Sequence, residues 1–326
     1  MSHVVGAYPA APPAGPWDAA AEQEFLAAVG SIAGITGFEL PYLGAPGLHG
    51  QDEGWLLDHL PDHGVHVVTA VPATAMAART DRSFGLASTD ADGRRRAIDL
   101  AAGLREAVER VVQHAGRKAV VAVELHSAPS GSTQGPAGSG ARFADSLDEL
   151  SEWDWCGARL VVEHCDAAVG PHRPEKGFLP LALEIEAVRR ANDRSGANVG
   201  LAVNWARSVI EGRDVHTPVV QIREIAAAGL LAGVVFSGVA SSAEHPAGAW
   251  ADAHLPPRPM EPLSLLDESE MVATLAAAGS ALSAVDFSGV KLGARRGDVT
   301  PLDRAEGLRL AIEMLDRAWP GSAAPR

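Results

Sequence analysis

Cysteine is scarce in this chain: Cys156 and Cys165 are the only two among 326 residues. Two thiols cannot make a disulfide framework, so the expected compartment is a reducing cytoplasm. Lysine is scarcer than arginine, with Lys118, Lys176 and Lys291 alone. That bias suits a GC-rich genome and says little about mechanism. No run of basic residues is long enough to follow a nucleic-acid backbone, and 41 acidic against 27 basic residues leave a net charge of −14. Nucleic acid and anionic membrane surfaces are therefore discounted as partners. No apolar run reaches the ~18–20 residues that span a bilayer. The first residues, MSHVVGAYPA, show neither a charged n-region nor an apolar h-region for export. No G-x-G-x-x-G follows the first apolar run, which removes a dinucleotide-binding reading.

Hydrophobic residues make up 47% of the chain and charged residues 21%, an ordinary globular balance. Short apolar runs alternate with helix-period segments from end to end. Strands are expected at Val4–Tyr8, Gly37–Tyr42, Val65–Val71, Ala119–His126, Leu160–Glu163, Val199–Asn204, Gly233–Gly238 and within Ala284–Leu292. Helices are expected at about Trp17–Ile32, Asp52–Leu60, Asp92–His114, Ser146–Trp153, Leu181–Asn192, Pro218–Ala228, Glu270–Ala281 and Leu302–Trp319. Eight strand–helix units with no composition shift predict one domain over residues 1–326, an α/β (β/α)8 barrel. The longest irregular stretches, about 72–91, 127–145, 167–178 and 241–265, all follow strands. They fall on the face where barrel enzymes carry their chemistry.

The polar residues at the strand ends form the candidate site. They are Tyr8, Glu39, Thr69, Glu124 with His126, Glu163 with His164 and Asp166, Asn204, Ser237, and Asp286 or Lys291. Buried carboxylates are costly unless paired or ligating, so three glutamates from three strands argue for purpose. Glu124 and His126 are two apart and share one face of their strand. A carboxylate beside an imidazole suits an acid/base pair or a metal, with a structural histidine and an arginine-paired glutamate as the alternative. Glu163 is the strongest catalytic candidate, while His164 points to the opposite face. Asn204 can hold a hydroxyl. Trp205 could stack on a sugar ring or simply pack at the rim. Arg207 and Arg213 read as solvated loop residues.

The ends of strands seven and eight offer Ser237-Gly238 and then Lys291-Leu292-Gly293-Ala294-Arg295-Arg296-Gly297. Small residues and cations suit an anion such as phosphate or carboxylate, or else a salt-bridged rim. A Schiff-base role for Lys291 would need a desolvated, neutral amine.

The motifs VVEHCDA (Val161–Ala167) and NWARSVIEGRD (Asn204–Asp214) resemble the xylose-isomerase-like TIM barrels, in an uncharacterised, largely actinobacterial branch. That superfamily includes sugar isomerases, epimerases and inosose dehydratases. The resemblance implies a divalent cation held at the ends of strands five to eight. Glu163 fits the strand-five ligand, but Asn204, Ser237 and Lys291 replace the acidic or histidine ligands of the other three. The usual metal site is therefore expected to be degenerate, although a different one built from Glu163, Glu124 and His126 stays open, so no cofactor is expected with assurance. The expected function is a sugar or sugar-phosphate isomerase or epimerase, with proton transfer by Glu163, Glu124 or His126. Lys291 would polarise the carbonyl, and Glu39, Asn204, Trp205, Ser237 and Arg295 would bind substrate. The alternatives are a glycoside hydrolase or lyase with paired carboxylates and a non-catalytic sugar-binding protein. The expected partner is a carbohydrate or another anionic or polyhydroxylated small molecule, and a homo-oligomer is allowed.

Overall fold

The computed structural model describes residues 3–12, 16–129 and 136–321. Its strands are β1 His3–Gly6, β2 Ile35–Pro41, β3 His66–Thr69, β4 Val120–Leu125, β5 Arg159–His164, β6 Gly200–Asn204, β7 Leu231–Phe236 and β8 Phe287–Lys291. Each pairs in parallel with the next, and β8 returns to β1, closing a single eight-stranded barrel. The helices are α1 Ala19–Gly30, α2 Glu53–Asp58, α3 Val71–Thr80, α4 Ala91–Ala115, α5 Pro136–Ser151, α6 Leu181–Ser195, α7 Trp205–Gly212, α8 Thr217–Ala227, α9 Glu268–Ala278 and α10 Pro301–Ala318.

Side-chain alternation sorts the strands into two apolar layers. Leu160 and Val162 of β5 join the large core between sheet and helices, while Val161 turns inward to meet Val4, Val67, Ala122, Ala202, Ala232, Val235 and Phe287. This inner plug fills the barrel, so it is a packed core and no channel. Aspartate caps start several helices: Asp18, Asp52, Asp90 and Asp267 each accept backbone N–H bonds of the first turn. Thr300 and Asp303 form a reciprocal capping box on α10.

Three helical features depart from the sequence expectation. Residues 71–80 and 205–212 form α3 and α7 where loops were expected, and α5 begins at Pro136, ten residues before Ser146. Part of the Gly/Ser stretch expected as loop, residues 130–135, lies outside the described residues. The remaining expected strands and helices are present with ends shifted by a few residues. No helix among the described residues is long and apolar enough to cross a membrane.

Candidate active site

The same alternation that builds the inner plug also builds the site. Two residues beyond inward-facing Val67, Ala122, Val161 and Ala202 stand Thr69, Glu124, Glu163 and Asn204. Each therefore faces the barrel axis one layer nearer the carboxyl ends. Glu39 on β2, Lys291 on β8, and His126 and Ser237 just past β4 and β7 complete the ring. All eight are buried. Gly6 supplies the room at β1, since a Cβ there would lie 2.7 Å from Lys291 Cγ and 3.1 Å from Glu39 Oε2.

Lys291 Nζ donates to Glu39 Oε1 at 2.5 Å and lies 5.1 Å from the centre of the Tyr8 ring. Glu163 is the hub. His126 Nε2 lies 2.9 Å from its Oε2, and Asn204 Nδ2 donates weakly to its Oε1 at 3.4 Å. Arg207 Nη1 forms a close ion pair with that Oε1, although no aligned N–H bond leaves Nη1 among the described residues. Arg207 Nε in turn donates to Asp252 Oδ2 at 3.1 Å, and Asp252 also pairs closely with Lys176. Ser237 Oγ donates to Asn204 Oδ1 at 2.9 Å, and His254 Nδ1 lies 3.4 Å from Ser237 Oγ. Asp252 and His254 come from the long β7–α9 connection, and Lys176 from the β5–α6 connection. They cover the ring from above.

Glu124 differs from its neighbours. It is fully buried, and neither carboxyl oxygen has a hydrogen bond of good geometry among the described residues. Burial, reinforced by repulsion from Glu163 and Glu39, holds its proton well above the usual carboxylate range. Glu163 moves the opposite way. Burial pushes it up, but the positive charges of Arg207 and Lys291 and the His126 hydrogen bond outweigh that and hold it well below the usual range. Two carboxyl groups on adjacent strands are thus shifted in opposite directions. Burial lowers His126 to about 4 and His254 to about 3, so both imidazoles are neutral at pH 7. Lys291 is raised well above its ordinary value, because Glu39, Tyr8 and Glu163 together outweigh burial.

The outward face of β5 carries a second polar cluster. His164 Nδ1 lies 2.6 Å from Glu184 Oε2 on α6, and its Nε2 lies 3.1 Å from Glu211 Oε2 on α7. Glu211 Oε2 also accepts from Ala167 N at 2.7 Å, and Gln221 Nε2 donates to Glu211 Oε1 at 2.7 Å. Ser127 donates to Glu184 and accepts from Leu179 N at 3.2 Å. The cluster thereby ties the connections after β4 and β5 to the helix that carries Arg207.

Several expected residues are placed elsewhere or in another role. Trp205 begins α7 fully buried in the sheet–helix core and offers no stacking face to a ligand. Arg295 spends its guanidinium on Asp298 and the Asp303 carbonyl at the start of α10, so the expected basic rim is a local brace. Asp286 pairs with Arg159 at the opposite end of the barrel, at 2.7 Å. Lys291 is held as an ammonium by Glu39 and does not offer the neutral amine of a Schiff base. Asp166 accepts from the Glu175 and Lys176 backbone N–H groups and shapes the β5–α6 connection. Sequence reasoning took Arg207 for a solvated loop residue, yet it is 1% exposed. It also missed Asp252, His254 and Lys176. The amphipathic WARSVIEG stretch next to β6 was the available signal for Arg207. The long connection holding Asp252 and His254 has no periodicity to read.

A surface cavity of about 670 Å³ lies around Lys118, Trp153, Trp155, Arg159 and Asp286. It is at the amino-terminal end of the strands, away from this chemistry, on the face that barrels use for stability. His126, Glu163 and Cys165 offer ligand atoms within 4.8 Å of one another, so the centre contains a group able to approach one divalent cation.

Comparison with solved structures finds the same architecture. A zinc-bound IolI protein aligns with a TM-score of 0.60 at 12% identity, over 98% of this chain and 99% of that one. D-Psicose 3-epimerase from Clostridium cellulolyticum H10, solved with D-tagatose, gives 0.56 at 12% over 97% and 98%. A xylose isomerase domain protein from Alicyclobacillus acidocaldarius gives 0.52 at 15% over 98% and 99%. These likenesses show the fold alone, a (β/α)8 TIM barrel shared with those proteins. In sequence, the uncharacterized protein STM3670 of Salmonella typhimurium is 34% identical over 316 residues, 97% of each chain. The model of a domain of unknown function, DUF4862, matches residues 4–306, and the chain belongs to that family.

Proposed function

We propose that this protein moves a proton at a carbon next to the carbonyl of a small polyhydroxylated substrate, as a sugar isomerase or epimerase does. The observation that carries this reading is the split between Glu124 and Glu163, two carboxyl groups that face the barrel axis from adjacent strands and whose proton affinities are pushed in opposite directions. Groups whose environments push their pKa values apart divide the acid and base roles. Glu163 is the base. A substrate carbonyl that draws the Arg207 guanidinium to itself frees Glu163 from its strongest stabilising partner and raises its basicity. The same guanidinium, with Lys291, then meets the charge that develops on the enediolate oxygen. Glu124 returns a proton. His126 and Asn204, already on Glu163, keep that carboxylate oriented, while Glu39 and Ser237 are placed to hold hydroxyl groups. The likeness to D-psicose 3-epimerase, solved with D-tagatose, supports a sugar-sized substrate over the glycoside-hydrolase alternative.

A divalent cation suits the fold but not this donor set as built. Glu163 Oε1 is paired with a guanidinium, and burial keeps the Cys165 thiol protonated. Asn204 and Ser237 bond to each other and bring no charge. No step is therefore assigned to a metal.

The test is solvent exchange. Incubating the protein with a panel of ketoses in D₂O is expected to place deuterium beside the carbonyl of at least one sugar, read by mass spectrometry. Glu163→Gln and Glu124→Gln are each expected to abolish it. Undiminished exchange in Glu163→Gln would sink the reading.

A further inference from the structure

We propose that the Arg207 guanidinium is the built-in cation of this centre, and that removing its charge uncovers a divalent-cation site made by His126, Glu163 and Cys165. The inference rests on the reading of Glu163 as the hub of the active site. Three observations carry it.

The first is convergence. One ligand atom from each of these three buried residues lies within 4.8 Å of the other two, a spacing suited to a single metal ion. Imidazole, carboxylate and sulfur together favour zinc or cobalt over magnesium.

The second is competition. Arg207 pairs closely with Glu163 Oε1, the carboxylate that a metal would need. Two cations cannot share one carboxylate in a water-poor interior without strong repulsion. Lys291 adds a third positive charge acting on Glu163 and His126.

The third is fixation. Arg207 is held from its far side by Asp252, which Lys176 also grips, and it sits in the first turn of α7 immediately after Asn204. A guanidinium keeps its charge at any accessible pH and presents planar N–H donors. It can therefore neutralise a buried carboxylate and polarise a carbonyl, the two services a divalent ion would give.

The test counts metal and needs no substrate. Wild type, Arg207→Lys, Arg207→Ala and Arg207→Gln are dialysed against Zn²⁺ or Co²⁺, desalted and analysed by elemental mass spectrometry. Wild type and Arg207→Lys are expected to retain substoichiometric metal, whereas Arg207→Ala and Arg207→Gln retain one equivalent. The cobalt forms of the two neutral variants should show a sulfur-to-cobalt charge-transfer band that Cys165→Ser removes. Should Arg207→Ala fold only when zinc is present, one equivalent in the refolded protein supports the proposal equally. One equivalent bound at this site in wild type or Arg207→Lys would overturn it, as would none in both neutral variants. Metal counts are independent of deuterium exchange, so failure here and failure of the proton-transfer reading are separate results.

Discussion

Replacing His164 with glutamine is expected to remove a pH-dependent share of stability, and the size follows from the geometry. The imidazole lies between two buried carboxylates, Glu184 at 2.6 Å and Glu211 at 3.1 Å. Burial lowers its proton affinity, but the two carboxylates outweigh that and raise the pKa from 6.5 to about 10. A raised folded pKa means that the stabilisation is complete below the unfolded value of 6.5. It is lost as pH rises through the folded value of about 10. Within that window the folded state holds one more proton than the unfolded chain, so stability falls by about 1.4 kcal/mol per pH unit. The full span sums to about 5 kcal/mol as an upper bound. In His164→Gln the two carboxylates take up protons and recover part of the loss, so roughly 2–4 kcal/mol is expected at neutral pH. Urea unfolding of both proteins at several pH values between neutrality and about pH 9.5 measures the difference, which should shrink steadily toward the alkaline end. A difference that stays constant across that range would refute the assignment of charge to His164. Glu211 shares α7 with Arg207, so the variant should also weaken the exchange activity proposed above.

Four further outcomes follow from the interior charges and the barrel wall. Glu124→Gln is expected to leave stability unchanged or raise it by about 1 kcal/mol, because a neutral amide replaces a buried acid lacking a good partner. Glu163→Leu is expected to cost about 3–5 kcal/mol, since it strands Arg207, and urea unfolding of this pair checks the contrast. Asp252 is held well below the usual range because Lys176, Arg207 and His254 outweigh its burial. Its stabilisation is present above the ordinary carboxylate range and disappears as pH falls through the lower folded value, so Asp252→Asn should flatten the acid limb of the stability profile. Gly289→Ala would bring a Cβ to 1.8 Å from the Val4 carbonyl oxygen on the neighbouring strand. It should cost at least ~3 kcal/mol or prevent folding, read by circular dichroism on heating.

The barrel was legible because its evidence in the sequence is local. VVAVEL, RLVVEH and LAGVVF each announce a buried strand, and the residue two past each inward-facing apolar side chain can be counted directly. Taking the polar residue at each strand's carboxyl end brought Glu39, Glu124, Glu163, Asn204 and Lys291 to one list, and the structure sets them in one ring. Helices α3 and α7 escaped because VPATAMAART and WARSVIEG are short and partly polar, so periodicity over one or two turns does not separate helix from loop. Arg207 escaped for a related reason. An arginine is a surface residue unless its partners are known, and its partners are Glu163, 44 positions earlier in the chain, and Asp252, 45 positions later. Arg295 misled in the opposite sense. A basic cluster in an acidic chain reads as a ligand site, but the nearby Asp298 and Asp303 were enough to occupy it.

The cover over the ring has a kinetic meaning. Asp252 joins the β7–α9 connection to Lys176 on one side and to Arg207 on the other, and the ring beneath is sealed from bulk water. If the protein moves a proton as proposed above, a substrate would reach Glu163 only when that latch releases. Apparent affinity is then the intrinsic affinity scaled by the fraction of molecules that are open. Substitutions that loosen the latch, Lys176→Met among them, would tighten apparent binding while admitting water that quenches the enediolate. On the proposed proton-transfer reading, the latch would set a trade between how readily a substrate enters and how faithfully the proton is returned.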